Sequence, residues 1–499
     1  MDLERVNKGK VLLAVALAQF LVMLVMSIVN VALPAIQTGL DFEPDQLQWV
    51  VNSYALTFGG LLLLGGRAAD VFGQRRLLVG GTVLFAVASL VGGLAQNDVQ
   101  LLAARVVQGA GAAAMAPAAL ALLTTTHRDG AERTKAFGVY AGVSAVGGTF
   151  GVLLGGLLTE YLGWRWIMLV NVPMALVVIW LAMRHVPAGI VGARRRLDVL
   201  GGILATLGVS LLVFGVVRTT DYAWTSGTTL TTLAGALLLI VAFVAVEGRA
   251  KSDPLLRLGL LAKRSVGGAN IFMLFLCAGQ FAAFYFIALY LQQVLDMKPA
   301  VAGTAFLPFC FGVIAGTVVS TRLVSRLGAK ALLVPGGLIG AAGFGWFATL
   351  EASGAFAVDV LGPSLVAGFG IGVCFVPLTG AATGGLPPHE AGMASALLNS
   401  SRQIGGAIGL AAVVTLQTQR TNSRLAEGDS VKEAMTSGFS LGLAISGGIL
   451  VVAALTAVFI LPTGDRSASS EPAGGAVVRG TGPGEDGSSA SVEATEVRG

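Results

Sequence analysis

Runs of about 20 apolar residues, each long enough to cross a bilayer as a helix, recur from Val11 to Leu461 and leave few other folds open. About fourteen can be counted, at 11–33, 47–67, 77–96, 99–125, 136–159, 165–185, 198–218, 228–247, 268–291, 300–321, 331–350, 358–380, 396–417 and 437–461. A helix satisfies its own backbone in lipid, so the expected fold is an all-α polytopic membrane protein. Hydrophobic residues make up 55% of the 499 and charged residues 12%, and the mean hydropathy is +0.80. Soluble domains carry roughly a quarter charged residues. The first run has no clear cleavage site behind it and reads as a retained span.

The net charge of +5 comes from basic residues scattered through short loops, which is a topology signal rather than a nucleic-acid footprint. Arg5, Lys8 and Lys10, then Arg75 and Arg76, then Arg128, Arg133 and Lys135 place alternate loops in the cytoplasm. Arg194 to Arg196, Arg249, Lys251, Lys263, Arg264, Arg326 and Lys330 continue the pattern, and Asp41, Glu43 and Asp45 mark the opposite side. Both termini are therefore expected inside the cell membrane. One loop disagrees, with Arg420, Arg424 and Lys432 on the outer side, mixed with Glu427, Asp429 and Glu433. Cys277, Cys310 and Cys374 lie in apolar runs without disulfide or zinc spacing, so no metal and no cofactor is expected.

An internal repeat divides the chain. Gly147 to Gly151 (GGTFG) and Gly405 to Gly409 (GGAIG) stand at the same distance after Glu132 and Glu390. Nearly the same shift carries Gly109-Ala110-Gly111 onto Gly368-Phe369-Gly370, and Gly73-Gln74-Arg75 onto Gly328-Ala329-Lys330. The expected organisation is a cytoplasmic start (1–10), a six-helix bundle (11–185), a linker with two inserted helices (186–267), a second six-helix bundle (268–461) and a disordered tail (462–499).

Charge inside the apolar runs is the main pointer to function. Arg105 shares a helix face with Gln108, Gly109 and Ala112, and ionisable residues at membrane depth usually face a bundle interior or a watery cavity. A snorkelling arginine near a helix end stays open as the plainer reading. The stretch Gly66-Arg67-Ala68-Ala69-Asp70-Val71-Phe72-Gly73-Gln74-Arg75-Arg76 is a tight basic turn, either a latch between bundles or an ordinary positive-inside loop. Gly147, Gly151 and Gly155 recur every four residues and form a smooth ridge for another helix, whether sliding or static.

These stretches resemble signatures of the major facilitator superfamily. The Gly66 to Arg76 turn is similar to its G-x-L-A-D-R-x-G-R-R/K loop, and Arg105 to Gly111 to its R-x-x-Q-G-x-G helix-four motif. Ser27 to Pro34, Gly163 to Pro173, and Ala391 to Ser395 through Asn399, Arg402, Gln403 and Gly406 resemble the fourteen-helix drug:proton antiporter branch. The resemblance covers nearly the whole chain except its tail. It implies two bundles rocking about a central site, export driven by proton entry, and a monomer taking a small amphiphilic substrate and protons. It also implies transport or proton-coupling roles for Arg105, Gln108, Asn30 and Arg402, and a cytoplasmic gate of Gly66, Asp70, Gly73, Arg75 and Arg76, with Asp70 paired to Arg75. The Gly147, Gly151 and Gly155 stripe then matches an antiporter motif.

The sequence also departs from that pattern. Val25 stands where the family has a span-one aspartate, Val152 where helix five has proline, Val71 and Gln74 where the loop has arginines, and Ser325 where the second loop has aspartate. Asp198, Glu247 and Asp359 sit at span ends and reach the interface, with Asp198 at a helix N-terminus. The deep charges left are Arg105 and Arg402, which favours neutral or anionic amphiphiles over cations. Candidate cavity residues are Gln19, Met23, Met26, Ser53, Thr57, Gln280, Phe284, Tyr285 and Tyr290, amid many plain helix contacts. An enzyme is disfavoured, because His127, His185 and His389 lie in loops and no zinc pair, nucleophile turn or phosphate loop is present. An importer, an exporter without proton coupling, and a transporter-derived sensor remain as alternatives.

Overall fold

A computed structural model describes residues 7–44, 46–127, 130–187, 198–220, 222, 225–249, 258–354, 356–386 and 388–461. Arg128, Arg194 to Arg196, Lys251 and the 462–499 tail lie outside the described residues, as does the Arg133 side chain. The helices are α1 (Lys8–Leu40), α2 (Trp49–Phe72), α3 (Gln74–Gly93), α4 (Asp98–Thr126), α5 (Gly130–Tyr161), α6 (Trp166–His185), α7 (Val199–Val217) and α8 (Gly227–Arg249). They continue with α9 (Arg264–Val294), α10 (Pro299–Leu327), α11 (Ala329–Phe347), α12 (Phe356–Thr383), α13 (Pro388–Ala426) and α14 (Val431–Phe459). Among the described residues, 13 of these are long and apolar enough to cross a membrane. The exception is α13, whose 39 residues include the polar run Asn399 to Gln403.

Several spans are interrupted where local chemistry competes with the helix. Asn171 donates to the Ile167 and Met168 carbonyls at 3.0 and 3.1 Å, and α6 breaks beside it at Val170. Pro308 cannot donate, and α10 breaks just before it at Phe306. At Tyr290–Val294 the end of α9 widens to a π-turn, as does the start of α12 at Phe356–Leu361.

α1–α6 form one bundle and α9–α14 another, while α7 and α8 pair and α7 packs on both α2 and α13. Backbone approaches at glycine make both bundles. In the first, a Cβ at Gly109 would lie 2.7 Å from the Tyr54 carbonyl, and one at Gly111 would lie 2.7 Å from the Phe85 nitrogen. In the second, Gly368 meets the Phe309 carbonyl and Gly370 meets Gly340 in the same way. The Gly147, Gly151 and Gly155 ridge packs on Phe20, Leu24, Ser27 and Ile28 of α1, and Gly405 and Gly409 pack on Leu274 and Ala278 of α9. The repeat read from glycine spacing is thus a repeat of contacts.

Polar ties at the Lys8 end are duplicated too. Gly73 and Gly328 start α3 and α11 with φ of 92° and 81°, a region open to glycine. Two residues later Arg75 donates to the Met183 carbonyl near the end of α6, and Lys330 to the Val458 carbonyl of α14 at 2.7 Å. Lys8 pairs with Glu132 at 2.7 Å, and Lys263 with Glu390 at 3.3 Å. Lys8 holds the Glu132 carboxyl below its ordinary range through their hydrogen bond. At the opposite end Arg424 meets Glu427 and Asp429 at 2.9 and 2.6 Å, and Lys432 meets Asp296. The basic residues that defied the charge rule are therefore largely offset by acids.

A Cβ at Gly65 would overlap the Ala113 carbonyl oxygen, whereas one at Gly138 meets nothing within 4 Å. Gly65→Ala is expected to cost about 1–3 kcal/mol as overpacking, and Gly138→Ala to be near neutral. Thermal unfolding midpoints of the two purified variants in detergent check the contrast.

Candidate functional site

Arg105 lies about two turns into α4 from the Asp41 end and is 1% exposed. It does not snorkel in this conformation. Its Nε donates to the Val50 carbonyl of α2 at 2.8 Å, and an Nη donates to Gln108 Oε1 at 2.6 Å. Gln108 Nε2 continues to Ser89 Oγ of α3 at 2.8 Å, and Ser89 donates to the Phe85 carbonyl at 2.7 Å. The guanidinium also rests 4.5 Å from the Tyr54 ring centroid. One arginine thereby joins three helices, and all these partners are neutral. Val25, at the position of the missing aspartate, is fully buried in the apolar cluster that contains Tyr54 and Phe58. In the second bundle the places of Arg105 and Tyr54 are held by Ser364 and Phe309, so this charge has no repeat.

The other candidates separate into groups. Gln19 donates to Ser144 at 3.0 Å and accepts from Tyr140 at 2.6 Å, tying α1 to α5. Asn30 donates to the Met26 carbonyl at 3.0 Å, and Met23 backs the Gly147 contact. Ser53 and Thr57 bond back to Trp49 and Ser53 along α2, with Thr57 also against Gly109. Phe284 stacks on Phe306 and meets Phe309 edge-on. Tyr285 is buried against Phe286, and Tyr290 donates to the Glu351 carbonyl at 2.8 Å near the Asp41 end. Gln280 keeps a buried Oε1 without a partner. Arg402 is half-buried, 5.7 Å from the Phe375 ring, with a buried Nε lacking an acceptor. In the expected gate, Gly66 approaches Pro117, Asp70 and Arg76 are exposed, and Arg75 is engaged at Met183 inside its own bundle. Asp198 caps α7 through Gly201 at 2.8 Å. Glu247 is buried beside it rather than reaching out to the interface.

Hydrogen bonds joining the two bundles gather toward the Asp41 end. Gln292 donates to the Val31 carbonyl at 2.8 Å, Gln293 to Gln37 at 3.0 Å, and the Ala300 N–H to Glu160 at 2.9 Å. Gly156 and Gly303 let α5 and α10 touch there through their backbones. Further in, Gln403 of α13 lies against Gly59 of α2 and donates to Met26 Sδ at 3.4 Å. Sequence reasoning missed this seam, since glutamines at span ends carry no motif.

Arg105→Lys keeps a charge but loses the planar fork that serves Val50, Gln108 and the Tyr54 face together. It is expected to destabilise the protein by about 2–4 kcal/mol, visible as a lowered unfolding midpoint. An unchanged midpoint would mean that charge alone suffices.

Comparison with known proteins agrees with this architecture. The family profile described as Major Facilitator Superfamily matches residues 15–410. A cephamycin export protein of Amycolatopsis lactamdurans is 42% identical over 413 residues, covering 82% of this chain and 85% of that one. A puromycin resistance protein of Streptomyces alboniger is 38% identical over 475 residues, covering 94% and 93%. Among solved structures, a bacterial homolog of the human lysosomal transporter Spinster, inward-facing and occupied, has a TM-score of 0.65 at 19% identity, covering 90% of this chain and 96% of that one. That likeness concerns the fold alone. Two six-helix bundles with two inserted helices, the profile match and the identities together make this chain a multi-pass membrane transporter of the Major Facilitator Superfamily, and not an enzyme.

Proposed function

We propose that this protein exports small amphiphilic compounds of the drug or antibiotic type by alternating access, in exchange for protons, with the Lys8 end in the cytoplasm. The observation that carries the reading is the bundle seam toward the Asp41 end, made of a few hydrogen bonds and glycine contacts with no ion pair among them to break. Such a seam suits an element with two discrete arrangements. The names of the cephamycin and puromycin relatives support a substrate of antibiotic type and the outward direction. The Gly147, Gly151 and Gly155 ridge on α1 supplies a smooth surface along which helices shift as the bundles rock.

Arg105 and Gln108 act in this scheme by holding α4 to α2 and α3, while Asn30 bonds back along α1 to Met26. Asn30 and Gln108 are neutral, so proton movement falls to groups that titrate or to water they order. The Arg105 cluster has neutral partners only, and its charge is the strongest fixed influence on any proton crossing its bundle.

In inside-out vesicles acidified internally, a fluorescent amphiphile is expected to accumulate when the protein is present and to leak out when nigericin collapses the pH gradient. Uptake that follows voltage alone would refute proton exchange. Arg105→Ala is expected to lower transport at least about a hundredfold while expression stays measurable, because it removes the buried network's centre. Wild-type uptake in that variant would reduce Arg105 to a packing residue.

A further inference from the structure

We propose that Arg402 is the residue that recognises substrate, and that it selects amphiphiles bearing one anionic group such as a carboxylate; this rests on the export reading above. The two deep arginines are not equivalent. Arg105 is 1% exposed and spends its donors on a carbonyl, an amide and a ring within its own bundle. Arg402 is half-buried, and its Nε is buried without any acceptor. Its neighbours are the Phe375 ring of α12 at 5.7 Å and the Cys277 thiol of α9, neither of which neutralises a cation. Among the described residues no carboxylate pairs with it.

A guanidinium at membrane depth needs a counter-charge or water, and its planar fork matches a carboxylate in two-pronged fashion. Positions 400 and 403 lie on a different face of α13, the one turned toward Gly59 of α2. Ser400 Oγ and Gln403 Oε1, within two positions on α13, are also buried without partners. Ser400 and Gln403 are 3% and 1% exposed, so these groups are held in place by packing. Phe281, one turn on, lies against Gly406, and Phe284 continues along α9 into the Phe306 and Phe309 cluster. An anionic head on Arg402 would place an apolar body along these rings. Position 402 in α13 also adjoins Gln403, which touches Gly59 and Met26 of the other bundle. A substrate bound there bears directly on the contact that must change as the bundles rock.

The test uses 7-diethylaminocoumarin-3-carboxylate and its methyl ester, which share a ring system and differ in charge, binding to the purified full chain in a neutral detergent. The wild type is expected to bind the acid at least about tenfold more tightly than the ester, with the preference shrinking as salt rises. Arg402→Gln is expected to erase the preference and leave ester binding within about twofold, since the apolar contacts remain. Retained ester binding certifies that the variant is folded; if it is lost, Arg402→Lys takes its place and is expected to keep part of the acid preference. A wild type without preference for the acid, or Arg402→Gln with the preference intact, overturns the assignment. Displacement of the acid by phosphatidylglycerol at equimolar amounts, with ester binding untouched, assigns the arginine to a lipid headgroup and overturns it as well. Acid-selective binding without uptake into vesicles refutes export alone, whereas equal uptake of acid and ester by wild type and Arg402→Gln refutes the role of Arg402 alone.

Discussion

Close approach of helix backbones at glycine is the interaction on which the rest of this structure depends. In lipid no hydrophobic force drives one apolar helix onto another, so association rests on dispersion between surfaces that fit. Gly65, Gly109 and Gly111 bring α2, α3 and α4 together, and Gly316, Gly368 and Gly370 do the same for α10, α11 and α12. Only at such separations can Arg105 reach from α4 to the Val50 carbonyl and lie over Tyr54. The arginine network is a consequence of the glycine packing. It then fastens what the glycines allowed to meet.

The duplication of contacts has an exception that matters for chemistry. Glycine approaches, the basic residues at Arg75 and Lys330, and the Lys8–Glu132 and Lys263–Glu390 pairs recur in both bundles. The deep charges do not. Arg105 occupies helix four of the first bundle and Arg402 helix five of the second, each without a counterpart. The shared features make the two bundles alike, and the unshared charges make them chemically distinct.

Much of the fold was legible because its determinants are local. Apolar run length gave the spans, and glycine spacing gave the faces that pack. The setting of Arg105 was legible only as a buried charge, since two of its partners, the Val50 carbonyl and the Tyr54 ring face, are not signalled by any residue pattern. Arg75 is a similar case. It donates to the Met183 carbonyl, a partner that no residue pattern signals, because unsatisfied carbonyls at a helix end attract a cation from any neighbour in space. The glutamine seam was illegible for the same reason, as Gln292 and Val31 lie in different bundles.

That seam is made of side-chain amides and one carboxylate on a backbone N–H rather than of ion pairs. Hydrogen bonds that are not ion pairs are little affected by dissolved ions, because there is no pair of full charges for counterions to screen. The contact between the bundles at the Asp41 end is therefore governed by fit and distance. Added salt leaves it nearly as strong, while the ion pairs within the bundles, Lys8–Glu132 and Lys263–Glu390 at one end and Lys432–Asp296 at the other, loosen. The contact between the bundles and the ties inside each of them thus answer differently to the ionic strength around them.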